Sequence, residues 1–166
     1  MGIVYGTQGE YDKAIAAYEK AIEIKPDDHE AFNNLGIVYD DKGEYDKAIA
    51  AYEKAIEIKP DSADYLMSLG FLHFTIGKLK KSEELLTSSV ALGSKDFGNM
   101  NLGHVYLGQS NLKEALRCYS KSFQAFPDKR RFWEGMHDDF KHLEQYGITQ
   151  TQYDEVLSKL KKIKEY

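Results

Sequence analysis

The sequence predicts an all-α protein built as a solenoid of stacked helical hairpins, and three observations predict it. Residues 1–26 and 35–60 agree at 22 of 26 positions, a period of 34 residues that lies in the range typical of stacked repeat architectures. Within 44–58, Tyr45, Ala48, Ile49, Tyr52, Ala55, Ile56 and Ile58 recur largely at i, i+3, i+4 and i+7, with Glu and Lys elsewhere, which marks an amphipathic helix. A glycine recurs inside the preceding helical pattern, at Gly2, Gly36, Gly70 and Gly103. Glycine in a helix costs about 1 kcal/mol relative to alanine, so its recurrence requires close approach of the paired helix. A single hairpin cannot bury its apolar face, but identical hairpins placed side by side bury each other's.

The elements follow in order along one domain. Residues 1–28 form a truncated first repeat, because Met1 stands where the first helix of the second repeat has already run for about six residues. That stunted helix falls below the ~12–15 residues at which an isolated helix becomes even marginal. Residues 29–62 form the second repeat, with Gly43 breaking the hairpin and Pro60, Asp61 and Ser62 ending the unit and capping the next helix. Residues 63–95 form a third repeat with Ser94 in place of the closing proline, so an altered turn is expected there. Residues 96–129 form the fourth, which closes at Pro127 and carries Ser110 where a turn glycine is expected. Ser89 and Ser122 replace a small apolar residue in the third and fourth repeats.

Residues 130–166 read as a divergent fifth helix pair that caps the array. Its first helix is expected over Lys129–Gln145, with Phe132, Trp133, Met136, Phe140 and Leu143 on one side. The second is expected over Thr151–Lys164, with Tyr153, Val156, Leu157, Leu160 and Ile163 on one face and a Thr151-x-x-Asp154 start.

Composition narrows the function. The 166 residues are 42% hydrophobic and 30% charged, as in a folded soluble domain. A formal charge of −5 and a pI near 5.6 give no field to attract nucleic acid or an anionic membrane. No apolar run approaches the ~20 residues of a bilayer span. The start, MGIVYGTQGEYDK, lacks the basic flank and long apolar stretch of a secretory signal. Cys118 is the only cysteine, which fits a reducing compartment, and a cytoplasmic location is expected. The five histidines have no serine or cysteine partner in a nucleophile motif, and there is no glycine-rich phosphate loop. Asp138 and His142, four apart, are the nearest approach to a metal pair, and they read as the polar side of a helix. No enzyme activity, cofactor or metal is expected.

In the second repeat, Phe32, Leu35-Gly36, Tyr39, Gly43, Tyr45, Ala48, Tyr52, Ala55 and Pro60 form a pattern that resembles the tetratricopeptide repeat. The resemblance covers residues 1 to about 129. It implies a right-handed α-solenoid whose first helices line a concave face, and a non-catalytic scaffold or adaptor that holds a peptide or helix of another protein. At the offsets that would face the groove stand Asn33, Met67 and Met100, then Ile37, Phe71 and His104, then Phe74 and Leu107. Asn34 and Asn101 echo asparagines that related arrays aim at ligand backbone amides. Members that clamp acidic chaperone tails use lysine, asparagine and arginine at the first two offsets, where only Asn33 qualifies. The expected ligand is therefore an apolar or amphipathic segment lying on Met67, Phe71, Phe74, Met100 and Leu107. The alternative expectation is a self-associating module, dimeric or stacked through the incomplete N-terminal repeat.

Overall fold

A computed structural model describes residues 8–163, and every regular element among them is helical. The expected stunted first helix, with Gly2, Ile3 and Tyr5, lies outside the described residues. Helices α1 (Gln8–Ile24), α2 (His29–Asp41), α3 (Tyr45–Ile58), α4 (Ala63–Thr75), α5 (Leu79–Ala91), α6 (Phe97–Gly108) and α7 (Leu112–Ala125) are followed by α8 (Lys129–Asp138), α9 (Phe140–Leu143), a 3-10 turn (Glu144–Tyr146) and α10 (Gln150–Ile163). The pairs α2/α3, α4/α5 and α6/α7 form hairpins joined by three-residue turns, and each hairpin packs on the next. This is an α-solenoid.

The recurrent glycines do what their position requires. A Cβ at Gly36 would stand 2.7 Å from the Tyr52 ring, at Gly70 2.8 Å from Leu86, and at Gly103 2.4 Å from Tyr119. In each hairpin a bulky side chain of the second helix lies directly on the bare backbone of the first. The hairpin turns share a left-handed residue at one position: Gly43 (φ 77°), Gly77 (φ 82°) and Ser110 (φ 62°). Serine adopts that conformation at a cost that glycine avoids.

Side-chain caps start the helices that begin each unit. Asp28 accepts from the Ala31 N–H, Ser62 from Tyr65, Asp96 from Phe97 and Asp128 from Arg130. The turn that lacks a proline is altered as expected. Gly93 takes φ 117°, and Ser94 tucks inward with its Oγ 3.3 Å from the Met67 sulfur.

The core is uneven. One cluster runs from Phe74 through Met100, Tyr119, Phe132 and Leu143 to Leu160, whereas a smaller one holds Ala48, Tyr52, Leu69 and Leu72.

The fifth pair differs from expectation in two ways. Its first helix does not continue to Gln145: α8 stops at Asp138, and the chain turns through α9 and the 3-10 turn to Gly147, which has φ 77°. Phe140 stacks on Tyr153 with ring centroids 5.0 Å apart, and Tyr146 lies on Phe74 at 5.2 Å. These long-range contacts override the local helical period. The second helix starts earlier than expected, through a reciprocal cap. The Thr149 hydroxyl accepts from the Gln152 N–H, while the Gln152 side chain accepts from the Thr149 N–H.

Candidate functional site

The ten residues expected to line the groove all lie on the first helices of their hairpins. Asn33, Asn34 and Ile37 are on α2; Met67, Phe71 and Phe74 on α4; and Met100, Asn101, His104 and Leu107 on α6. The structure divides them into two groups.

The first group is open. Ile37 is 41% exposed, and Asn33, Asn34, Met67 and Phe71 are half-buried. Asn33 keeps its Oδ1 buried without a hydrogen-bond partner in the protein. The same two helices carry acidic groups: Glu30, Asp41 and Asp64 are exposed and Asp40 is half-buried. Burial, helped by neighbouring Asp41, pushes the Asp40 carboxyl up to about 6.

The second group is enclosed. Phe74, Met100, Asn101, His104 and Leu107 are buried, which corrects the expectation that they offer an open apolar strip. For Phe74 and His104 the physical reason is the segment between α8 and α10. The other hairpins turn in three residues, at 42–44, 76–78 and 109–111, whereas here the connection occupies 139–149. It folds back over α4 and α6. The Tyr146 hydroxyl donates to the Phe74 carbonyl, and the His142 ring meets Phe71 edge-on at 5.4 Å. The Tyr146 ring covers Gly108 so closely that a Cβ there would stand 3.3 Å from it. On the other side, Gly135 of α8 admits Met100, whose sulfur would lie 3.1 Å from a Cβ at 135.

His104 sits at the bottom of this closure, with the rings of Phe74 and Tyr119 6.2 and 5.3 Å away. Neither of its ring nitrogens has a hydrogen-bond partner in the protein, and a carboxyl oxygen of Asp139 lies 3.8 Å from Nδ1. Burial drives the His104 imidazolium down to about 3, so the ring is neutral at pH 7. Burial likewise raises the Asp139 carboxyl to about 7, assisted by Asp138.

His142, expected on the polar side of a helix, instead packs on Phe71, and sequence reasoning missed Asp139, Tyr146 and Gly108. Helical spacing gave no signal for them, because a helix continued to Gln145 leaves only a short connection to Thr151.

Asp138 is exposed and His142 packs against Phe71, and among the described residues no group of three or more metal-ligating side chains converges. Cys118 is buried, and burial raises its thiol pKa, as suits a core residue. No helix among the described residues is long and apolar enough to cross a membrane.

Two family models, both described as tetratricopeptide repeat, match residues 1–63 and 39–96 in one case and 98–129 in the other. The chain belongs to the tetratricopeptide repeat family. Solved structures agree. A crystal structure of MamA is 26% identical, with a TM-score of 0.68, over 96% of this chain and 94% of its own. TTC0263, a thermophilic tetratricopeptide protein of Thermus thermophilus, is 20% identical with a TM-score of 0.67, over 76% and 71%. YrrB, described as having an unusual peptide-binding site, is 24% identical with a TM-score of 0.64, over 95% and 79%. No curated protein matches the sequence. Membership and fold support a protein-interaction scaffold in general terms, and repeats of this family are generally non-catalytic.

Proposed function

We propose that the chain is a non-catalytic cytoplasmic adaptor that holds an apolar or amphipathic segment of another protein on the open part of its concave face, formed by α2 and α4. The observation that carries this reading is Ile37. It is a large apolar side chain 41% exposed on a first helix, at the repeat position held by Phe71 in the next unit and by buried His104 in the one after. Burying such a side chain against a partner is worth about 1–2 kcal/mol. Asn33, Asn34, Met67 and Phe71 lie half-buried on the same two helices, and flexible methionine suits a surface that must adapt to its ligand. The acidic groups on α2 and α4 favour a segment that also carries lysine or arginine. YrrB, described as a peptide binder, has the same fold.

Panning a displayed peptide library against the whole chain tests this reading. Amphipathic ligands are expected, and their affinity should fall roughly tenfold or more in Ile37→Asp combined with Phe71→Ala, with the helical circular dichroism preserved. Ligands that bind this variant unchanged would place the site elsewhere.

Ile24 at the end of α1 is 77% exposed, which favours a second reading, self-association through the first repeat. Light scattering over a hundredfold range of concentration separates the two. A mass that rises with concentration and falls back in Ile24→Asp supports self-association, and a constant monomer mass excludes it.

A further inference from the structure

The connection at 139–149 has the features of a ligand that happens to be tethered. It brings two rings one helical turn apart, His142 and Tyr146, onto the paired rings of Phe71 and Phe74 on α4. It also brings one directed hydrogen bond, from the Tyr146 hydroxyl to the second lone pair of a helix carbonyl that already accepts from the Gly77 N–H. The receiving surface is shaped for it: Gly108 stands where the two preceding repeats carry Asp41 and Thr75, and its missing side chain leaves room for the tyrosine ring.

The tether is held by tertiary contacts rather than by its own secondary structure: Leu143 is fully buried and Phe140 lies on Tyr153. Helix α9 has four residues and the 3-10 turn three, too short to persist without tertiary contacts. At the far end, Gly147 takes φ 77°, and nothing lies within 4 Å of where its Cβ would be. With the segment closed, neither nitrogen of His104 has a hydrogen-bond partner in the protein, and the Asp139 side-chain oxygen stops 3.8 Å short of Nδ1. Imperfect polar pairing at a buried seam costs free energy that opening returns.

We propose that residues 139–149 are a displaceable internal occupant of the concave face, and that the seat of His142 and Tyr146 is a receptor site for a partner segment carrying a tyrosine one helical turn after another ring. The site extends the α2–α4 surface towards α6, so this inference rests on the scaffold reading above and names its ligand chemistry. In the resting chain the tethered segment competes at an effective concentration in the millimolar range, so only a partner with further contacts on α2 and α4 wins. Displacement then couples binding to opening of the C-terminal unit.

A labelled synthetic peptide of residues 138–150, added to the full chain and followed by fluorescence anisotropy, tests the proposal. In His142→Ala/Tyr146→Ala, which removes the two rings from the tether while leaving buried Leu143, the peptide should bind roughly tenfold or more tighter than to the unaltered chain. The same peptide with alanine in place of its tyrosine should not bind. Equal or absent binding to the helical double variant would overturn the receptor site. Tyr146→Phe keeps the ring and removes only the hydroxyl, so it serves if the double variant does not fold. Hydrogen exchange at 140–146 should then rise several-fold while α2–α7 stay unchanged. Exchange of 140–146 only at the rate of global unfolding, in both the unaltered chain and Tyr146→Phe, would show a fixed structural element instead. The peptide does not depend on Ile37. If it fails while library ligands still bind at Ile37, only the receptor site is lost; failure of both removes the scaffold reading as well.

Discussion

The chain contains its own control, because Gly9–Pro26 and Gly43–Pro60 are the same eighteen residues in two different settings. In α3, Ala48, Ala51, Tyr52 and Ala55 are buried. In α1 the matching Ala14, Tyr18 and Ala21 are half-buried, and Ala17 is exposed. Helix α3 lies between α2 and α4, while among the described residues α1 packs on α2. An amphipathic pattern specifies which face is available for burial; the number of neighbours decides how much of it is buried. The same gradient runs along the first helices, where one repeat position holds exposed Ile37, half-buried Phe71 and fully buried His104.

The largest expected effect breaks this symmetry directly. Tyr52→Ala removes a ring that is 2% exposed and lies on Gly36, and should cost about 3–4 kcal/mol in urea denaturation. Tyr18→Ala, in the identical sequence, should cost less than half of that. Backbone amides of α1 should also exchange faster than their counterparts in α3. Equal costs for the two tyrosines would mean that sequence, and not neighbours, sets the contribution of each repeat.

At the enclosed end of the gradient, Asp139→Asn should stabilise the fold by roughly 2 kcal/mol at pH 7, allowing for the solvent that reaches a side chain 22% exposed. The sign follows from proton binding. The folded carboxyl, raised to about 7 from an ordinary 3.8, keeps a proton that the unfolded chain releases between those values. Stability is therefore lost as pH rises through that window. The gain from Asp139→Asn should be nil near pH 3.5 and grow to its maximum near pH 7. His104 acts in the opposite sense, since its folded value of about 3 lies below the ordinary 6.5. The unaltered chain should thus show a shallow response to these two groups between pH 4 and 6.5, and the variant a rising one. Asp138, Lys141 and half-buried His142 also face the pair and are unchanged between the two proteins. A pH-independent difference in midpoint would refute the assignment.

Equivalent serines sharpen the same lesson on a smaller scale. Ser89 donates to the Ala63 carbonyl at 2.7 Å, whereas the Ser122 hydroxyl is buried with no partner in the protein. Ser89→Ala should cost about 1 kcal/mol, and Ser122→Ala should be neutral or stabilising. Identical costs would show that Ser122 finds a partner. Smallest of all, Ser110→Gly should gain about 0.5 kcal/mol by placing at φ 62° the residue that its counterparts Gly43 and Gly77 already supply. A loss would indicate that the serine side chain contributes more than its backbone costs.

Much of the fold was legible because its rules are local or periodic. The glycines that admit Tyr52, Leu86 and Tyr119, the cap at Ser62 and the altered turn at Ser94 each follow from residues whose chemistry permits few alternatives. The candidate surface was legible only in part. Position within a repeat placed all ten residues on the first helices, but it carried no information about what folds over them. Phe140, His142 and Tyr146 look like a continuation of α8 when read by helical period, and their partners Tyr153, Phe71 and Phe74 are up to 72 residues distant.

By itself the sequence determined the repeat unit, its period, the apolar face of each helix and the points where the helices of the repeats begin and end, because these depend on backbone propensity and on spacing within a few turns. Tertiary structure alone decided which copies of that face are buried, where α8 breaks, and which residues of the first helices stay open. Those outcomes depend on neighbours brought in from far along the chain, and two identical stretches of sequence meet different neighbours.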